Sequence, residues 1–350
     1  MPVKRSSILL AATGIVLLGA ATVTHFAVAP SLTKIPGSLD DTTSYDGTMS
    51  MPDPASPGKT VDQPIVLERR VRADSVEGNT AVITLSTDAY AVPRDTNAGP
   101  LSREVHRYAV NRDDFGQADP PSGVEVTDQL GGAVFALPRS FDRRDHRLFD
   151  ANTRQAVALN YLSSARISGR SADTFGAESS GAVADPALLA QLRAGFGSKV
   201  GTDGTSVPTA VAVAMGIPTD RLAGFDTAAP VTYRVHTTWQ ISADRAFGVV
   251  LALTQTVRID AVIGDVADPV LVTTLQRLDA HTSETSIADT AAALDSSATK
   301  LALIEQWIPF AAALIGLGLL VIAILRRTPT TATQTPATSE SPRHVPADLR

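Results

Sequence analysis

The chain has no cysteine. Without a thiol there is no disulfide framework, no thiolate metal site and no sulfur nucleophile. A cysteine-free chain suits an oxidising exterior. Basic excess is missing as well: 30 Lys and Arg against 36 Asp and Glu give a formal net charge of −6 over 350 residues. Phosphate-directed binding needs a concentrated basic surface, so nucleic acid is not an expected partner. Histidine is scarce. The six, His25, His106, His146, His236, His281 and His344, contain no i, i+4 pair and no His-Glu-x-x-His, so zinc chemistry has no footing. Ser297-Ala298-Thr299-Lys300 matches a serine acyl-enzyme spacing but lacks the partner motifs. Gly195-Phe196-Gly197-Ser198-Lys199 follows a helical stretch rather than a strand, which makes it a helix end and not a phosphate loop. No catalytic residue, cofactor or metal ligand is expected.

What the chain does have is one long uncharged run. Gln306–Leu325 carries no ionisable side chain and is followed at once by Arg326-Arg327. About 20 mostly apolar residues cross the hydrocarbon core as a helix, and the arginine pair marks a cytoplasmic end. Trp307 stands at the opposite end, where an indole favours the headgroup layer. A second run, Ile8–Val28, follows Lys4 and Arg5. It reads either as a cleaved signal, with Ala27-Val28-Ala29 as a small-x-small site, or as an uncleaved anchor. It is longer than a typical signal core of about 7–15 residues, and Pro30 is a poor residue after a scissile bond, so the anchor is the expectation.

These runs give a membrane-anchored α+β architecture: two transmembrane helices flanking one large, antiparallel, β-rich extracytoplasmic domain with a stalk helix. The expected divisions are a cytoplasmic N-terminus (1–7), a first span (8–29), the exterior domain (30–281), the stalk (282–305), the second span (306–325) and a disordered cytoplasmic tail (326–350). Both termini then lie in the cytoplasm of a plasma-membrane protein, and the lipid bilayer is its first partner.

Within the exterior region, residues 30–64 read as an extended lead-in with one short strand near Tyr45–Met51. Ile65, Leu67, Arg69 and Val71 alternate with Val66, Glu68, Arg70 and Arg72, a strand pattern that resumes over Thr80–Val92. Asp185 followed by Pro186 opens a helix over Ala184–Gly197. Val207–Met215 looks β-like. In Val231–Ser242 one face holds Val231, Tyr233, Val235, Thr237, Trp239 and Ile241, and His236 falls on the other, polar face. Val249–Ile259 and Val270–Leu278 follow as further strands, which predicts a meander. Phe141–Asp150 is the densest polar cluster. Asp142, Asp145 and Asp150 could supply oxygens to a cation, but Arg143, Arg144 and Arg147 interleave with them, so a salt-bridged turn is expected.

Several stretches resemble the actinobacterial PorA-type envelope proteins. They are Ala29–Pro36, Tyr45-Asp46-Gly47-Thr48, Leu137–Asp142, Leu148-Phe149-Asp150, Arg154–Val157, Ile167-Ser168-Gly169 and Thr174-Phe175. Trp239 opens a region similar to a family motif, but Gln240-Ile241-Ser242-Ala243-Asp244 stands where the family has an acidic-Pro-x-Thr-Gly turn. The resemblance implies the layout of spans around a β-rich domain and implies no catalytic residues. Its "porin" label implies a pore-forming or pore-associated subunit.

Tyr233, Trp239 and Phe247 are the candidate ligand-binding residues, as an aromatic lining for an apolar pocket. The expected function is therefore a non-enzymatic envelope module that binds or transfers a lipid-like, apolar component. The alternatives are a porin-like subunit and an envelope hydrolase. Oligomeric state has no sequence signal.

Overall fold

A computed structural model describes residues 34–53, 59–95, 97–139, 141–144, 146–264 and 269–325. The expected first span and the tail after Leu325 lie outside the described residues. The chain divides into two compact units, the larger being Leu32–Thr299.

The larger unit is built on one ten-stranded, antiparallel sheet. Its strands are β1 (Asp40–Pro52), β2 (Thr60–Glu77), β3 (Thr80–Ala91), β4 (Ser102–Asn111), β7 (Asn160–Ile167), β8 (Arg170–Ala182), β9 (Ser206–Pro208), β10 (Ala228–Asp244), β11 (Val250–Ile263) and β12 (Val270–Thr282). They run in the order β4-β3-β2-β1-β12-β11-β10-β8-β7, with β9 beside β10. The short strands β5 (Arg147–Asp150) and β6 (Gln155–Ala158) pair separately. Two meanders are thus joined at β1·β12, where Tyr45 pairs with Thr282 and Met49 with Leu278. Gly47 makes this seam close: a Cβ there would sit 2.5 Å from the Asp279 carbonyl oxygen.

The alternation predicted for β2 is realised. Leu67 is buried, and Arg69 and Val71 share its face. The opposite face of β2–β4 is laced with ion pairs, Arg72 with Asp74, Arg94 with Glu68 and Arg103 with Asp88. Bulges at Ala73/Ser75, Ser242/Ala243 and Ile259/Asp260 bend and twist their strands. The meander of β10, β11 and β12 also forms as expected.

Helix α1 (Pro186–Val200) starts where Asp185 predicts, with its carboxylate accepting from Leu188 N at 2.7 Å. It runs through Gly195 and Gly197 and stops at Gly201, which has φ 73°. The stretch expected to be β from Val207 is mostly helical, α2 (Thr209–Ala214). Pro208 closes β9 there, and alanines at 210, 212 and 214 favour helix. The lead-in holds a thirteen-residue strand, β1, at the heart of the sheet.

After β12 come α3 (Glu284–Ala302), a π-helical turn (Leu303–Trp307) and α4 (Ile308–Leu325). Together they form one helix of 42 residues that is long and apolar enough to cross a membrane. Phe310, Leu314, Ile315, Leu317 and Leu325 on α4 are exposed.

The expected fold class requires correction. The described residues are mainly antiparallel β-sheet, 48% strand, and among them one helix, rather than two flanking ones, has spanning length and composition. Between Asp40 and Ala182 the described residues form eight strands and no helix, with a stretch free of named strands at 112–146. Among the described residues only Glu284–Leu325 has the unbroken apolar helix that a span demands.

Candidate functional site

Three apolar clusters meet inside the larger unit. One gathers Tyr45, Met49, Leu67, Ile241 and Leu253. A second holds Leu85, Tyr108, Val134 and Phe149. The third holds Val257 and Ile259 with Leu188 of α1 packed against it. All of these side chains border a single cavity of about 460 Å³.

Register explains why they converge. One line of directly paired residues runs Gly47–Ala280–Gln255–Trp239, and the next runs Met49–Leu278–Val257. Because side chains alternate across a strand, each line presents one face to the cavity. The segment Ala133–Leu137 and strand β5 cover it from the other side. This cover is fixed by hydrogen bonds from Leu137 N to Gly248 O and from Phe149 N to Ala133 O, both 2.9 Å. Gly248 has φ 71°, and a Cβ there would overlap the Leu137 carbonyl.

The cavity is not uniformly apolar. A third line of paired residues, Thr43–Arg69–Thr87–Glu104, crosses β1 to β4, and His106 and Tyr108 continue the same face of β4. All line the cavity. Crowding by the cavity walls raises the Glu104 carboxyl above its ordinary range, aided by Asp185 and Asp150 and opposed by Arg69, although the residue keeps exposed surface. Burial lowers His106 and raises Tyr108. Asp150 is already engaged, accepting from Asn152 N at 3.0 Å and from the Thr153 hydroxyl at 2.7 Å. A second hollow, about 590 Å³, lies against Val105, Arg107, Glu125 and Asp128. It is more open and more polar, and none of the apolar clusters reaches it.

The three aromatic residues singled out from sequence do not share one place. Trp239 borders the cavity. Tyr233 is buried in the third cluster against Phe196, its hydroxyl donating to Gly204 O at 2.6 Å, and burial pushes its pKa up to about 12. Phe247 packs with Leu251 and lies under the guanidinium groups of Arg139 and Arg170. Sequence reasoning missed Tyr45, Leu137 and Phe149, which approach from segments far apart in the chain. Strand alternation in β2 was the available signal for Leu67 and Arg69.

The polar cluster at Phe141–Asp150 is salt-bridged, but chiefly to another strand: Arg143 pairs with Asp173 of β8. Among the described residues no group of three His, Asp or Glu side chains is placed to hold a metal ion. His236 sits on the polar face of β10, 3.8 Å from Glu178.

A family model described as Porin PorA matches residues 6–325. No curated protein gives a significant match.

Proposed function

The chain belongs to the Porin PorA family, and we propose that this envelope membrane protein binds an apolar envelope component inside its β-rich unit. One observation carries the reading: three apolar clusters border a single cavity of about 460 Å³. That volume falls in the range of ligand pockets, about 300–1,000 Å³. Trp239, Tyr45 and Phe149 supply broad contact surfaces, and Trp239 is the aromatic residue assigned to the ligand among those read from sequence. Transfer of the bound molecule is the corresponding activity, with α4 as the membrane attachment. Arg326-Arg327 directly after α4 favours a cytoplasmic end there.

A pore-forming or pore-associated role is the second reading, and the family description favours it. The ion-paired outer face of β2–β4 supports the binding reading over a lipid-embedded barrel, whose outward side chains are apolar. Nothing in the family description indicates an enzyme. Purification of the full chain followed by lipid extraction separates the two readings from one side, and planar-bilayer recording from the other. A binding module retains an apolar molecule and passes no current. A porin conducts without one.

A further inference from the structure

The cavity contains a cation with no counter-ion among the described residues. Arg69, on β2, lines it between Thr43 and Thr87. Its guanidinium makes one hydrogen bond among the described residues, from Nη2 to the Val134 carbonyl at 3.3 Å. Its Nε is buried with no partner, and it forms no ion pair among the described residues. The neighbouring arginines of β2 differ: Arg70 pairs with Asp40 and Arg72 with Asp74, both on the solvent side. A guanidinium has five donors in a planar fork, and leaving such donors unmet away from water is costly. A residue needed only for packing could be apolar at this position. An arginine that keeps its fork free inside a largely apolar cavity suits a carboxylate or phosphate, which accepts two parallel bonds from it.

We infer that Arg69 is the headgroup-recognition residue of this cavity, and that the ligand is an amphiphile whose acyl chain lies along Leu67, Leu253, Leu278 and Trp239 while an anionic oxyacid headgroup, carboxylate or phosphate, docks on the guanidinium. The inference rests on the cavity reading above and adds the chemical class of the ligand. Asp41, Glu104 and Asp150 also line the cavity, and none forms an ion pair with Arg69 among the described residues. Asp150 is held by Asn152 and Thr153. Lys34 is turned to Asn79 and Asp113. Glu104 faces the same space from β4, across Thr87 from Arg69 on the line Thr43–Arg69–Thr87–Glu104.

The test compares three amphiphiles of equal chain length: hexadecanoate, hexadecyl phosphate and hexadecan-1-ol. Binding to the delipidated full chain is measured in detergent, with uptake by protein-free micelles subtracted. The wild type is expected to bind at least one anion about tenfold or more tighter than the alcohol, the scale of a charge-assisted hydrogen bond. The better anion identifies the headgroup. Arg69→Gln is expected to abolish this preference while alcohol affinity stays within about twofold, and Arg69→Lys to keep part of it. Equal affinity for all three in the wild type, which needs no variant to fold, overturns the headgroup inference and leaves the cavity reading standing. So does a preference that survives in a folded Arg69→Gln. Binding of none of the three overturns both.

Discussion

Arg143 donates from Nε to Oδ2 of Asp173 at 2.9 Å, tying the polar loop before β5 to the buried side chains near the start of β8. The Asp173 side chain is 2% exposed, and Arg245 and Ser164 also face it. Burial alone would raise this carboxyl. The bonds from Arg143 and Ser164 and the two arginine charges outweigh it, so it lies below its ordinary 3.8.

A depressed carboxylate stabilises the fold at pH values above its unfolded-state pKa. That contribution is lost as pH falls through the lower, folded-state value. Unfolding of the full chain is therefore expected to show an acid-side loss of stability beginning below about pH 4. Asp173→Asn should lower stability at neutral pH by about 1–3 kcal/mol, since it leaves Arg143 and Arg245 facing a neutral group. It should also flatten the acid limb in a denaturant titration. An acid limb unchanged in Asp173→Asn would assign the acid sensitivity to other carboxylates.

Gly248→Ala places a methyl group against the Leu137 carbonyl at a backbone angle of φ 71°. Strain of this kind costs about 1–3 kcal/mol. The segment Ala133–Leu137 should loosen first, because Leu137 N hydrogen-bonds Gly248 O. Hydrogen exchange is expected to speed up over residues 133–137 before it does over β10 and β11. Uniform acceleration would mean that the cover is not separately held.

The cavity itself can be filled. Thr87 and Gln255 line it from half-buried positions on β3 and β11, where a larger side chain is tolerated better than in the close-packed clusters. Thr87→Trp and Gln255→Trp should each weaken hexadecan-1-ol binding about tenfold or more without a large fall in melting temperature. Full binding in both folded variants would place the ligand elsewhere.

Helix α4 has exposed apolar side chains along its length and no charge. A central Leu317→Arg costs about 2.5–3.5 kcal/mol of insertion free energy. Carbonate extraction should then release a substantial fraction of the protein from membranes, whereas Leu317→Ala should stay bound. Retention of Leu317→Arg would mean that α4 is not what holds the chain in the bilayer.

The parts of the fold legible in the sequence were those with local rules. Asp185-Pro186 announced α1 at its first turn, period-two alternation gave β2 and β10, and Gln306–Leu325 showed the spanning helix. Apart from α2, read as β despite its alanines, what failed depended on distant partners. Strand β1 carries turn formers at Asp40-Asp41 and Gly47 and has weak alternation, yet it becomes the seam of the sheet because β2 and β12 satisfy its backbone on both sides. The cavity was hidden for the same reason. Trp239 stood out by size, but Tyr45, Leu137 and Phe149 reach the same space only after strands distant in sequence pair. Alternation already set Arg69 on the face of Ile65, Leu67 and Val71, but only the folded sheet shows that this face lines a cavity.

The measurement that bears most directly on the account is native mass spectrometry of the full chain released from mild detergent. The expected spectrum shows the chain carrying an acyl-chain molecule, with that adduct missing in Thr87→Trp and Gln255→Trp. A bare wild-type chain, together with single-channel current in a planar bilayer, would contradict the binding account and establish the pore instead.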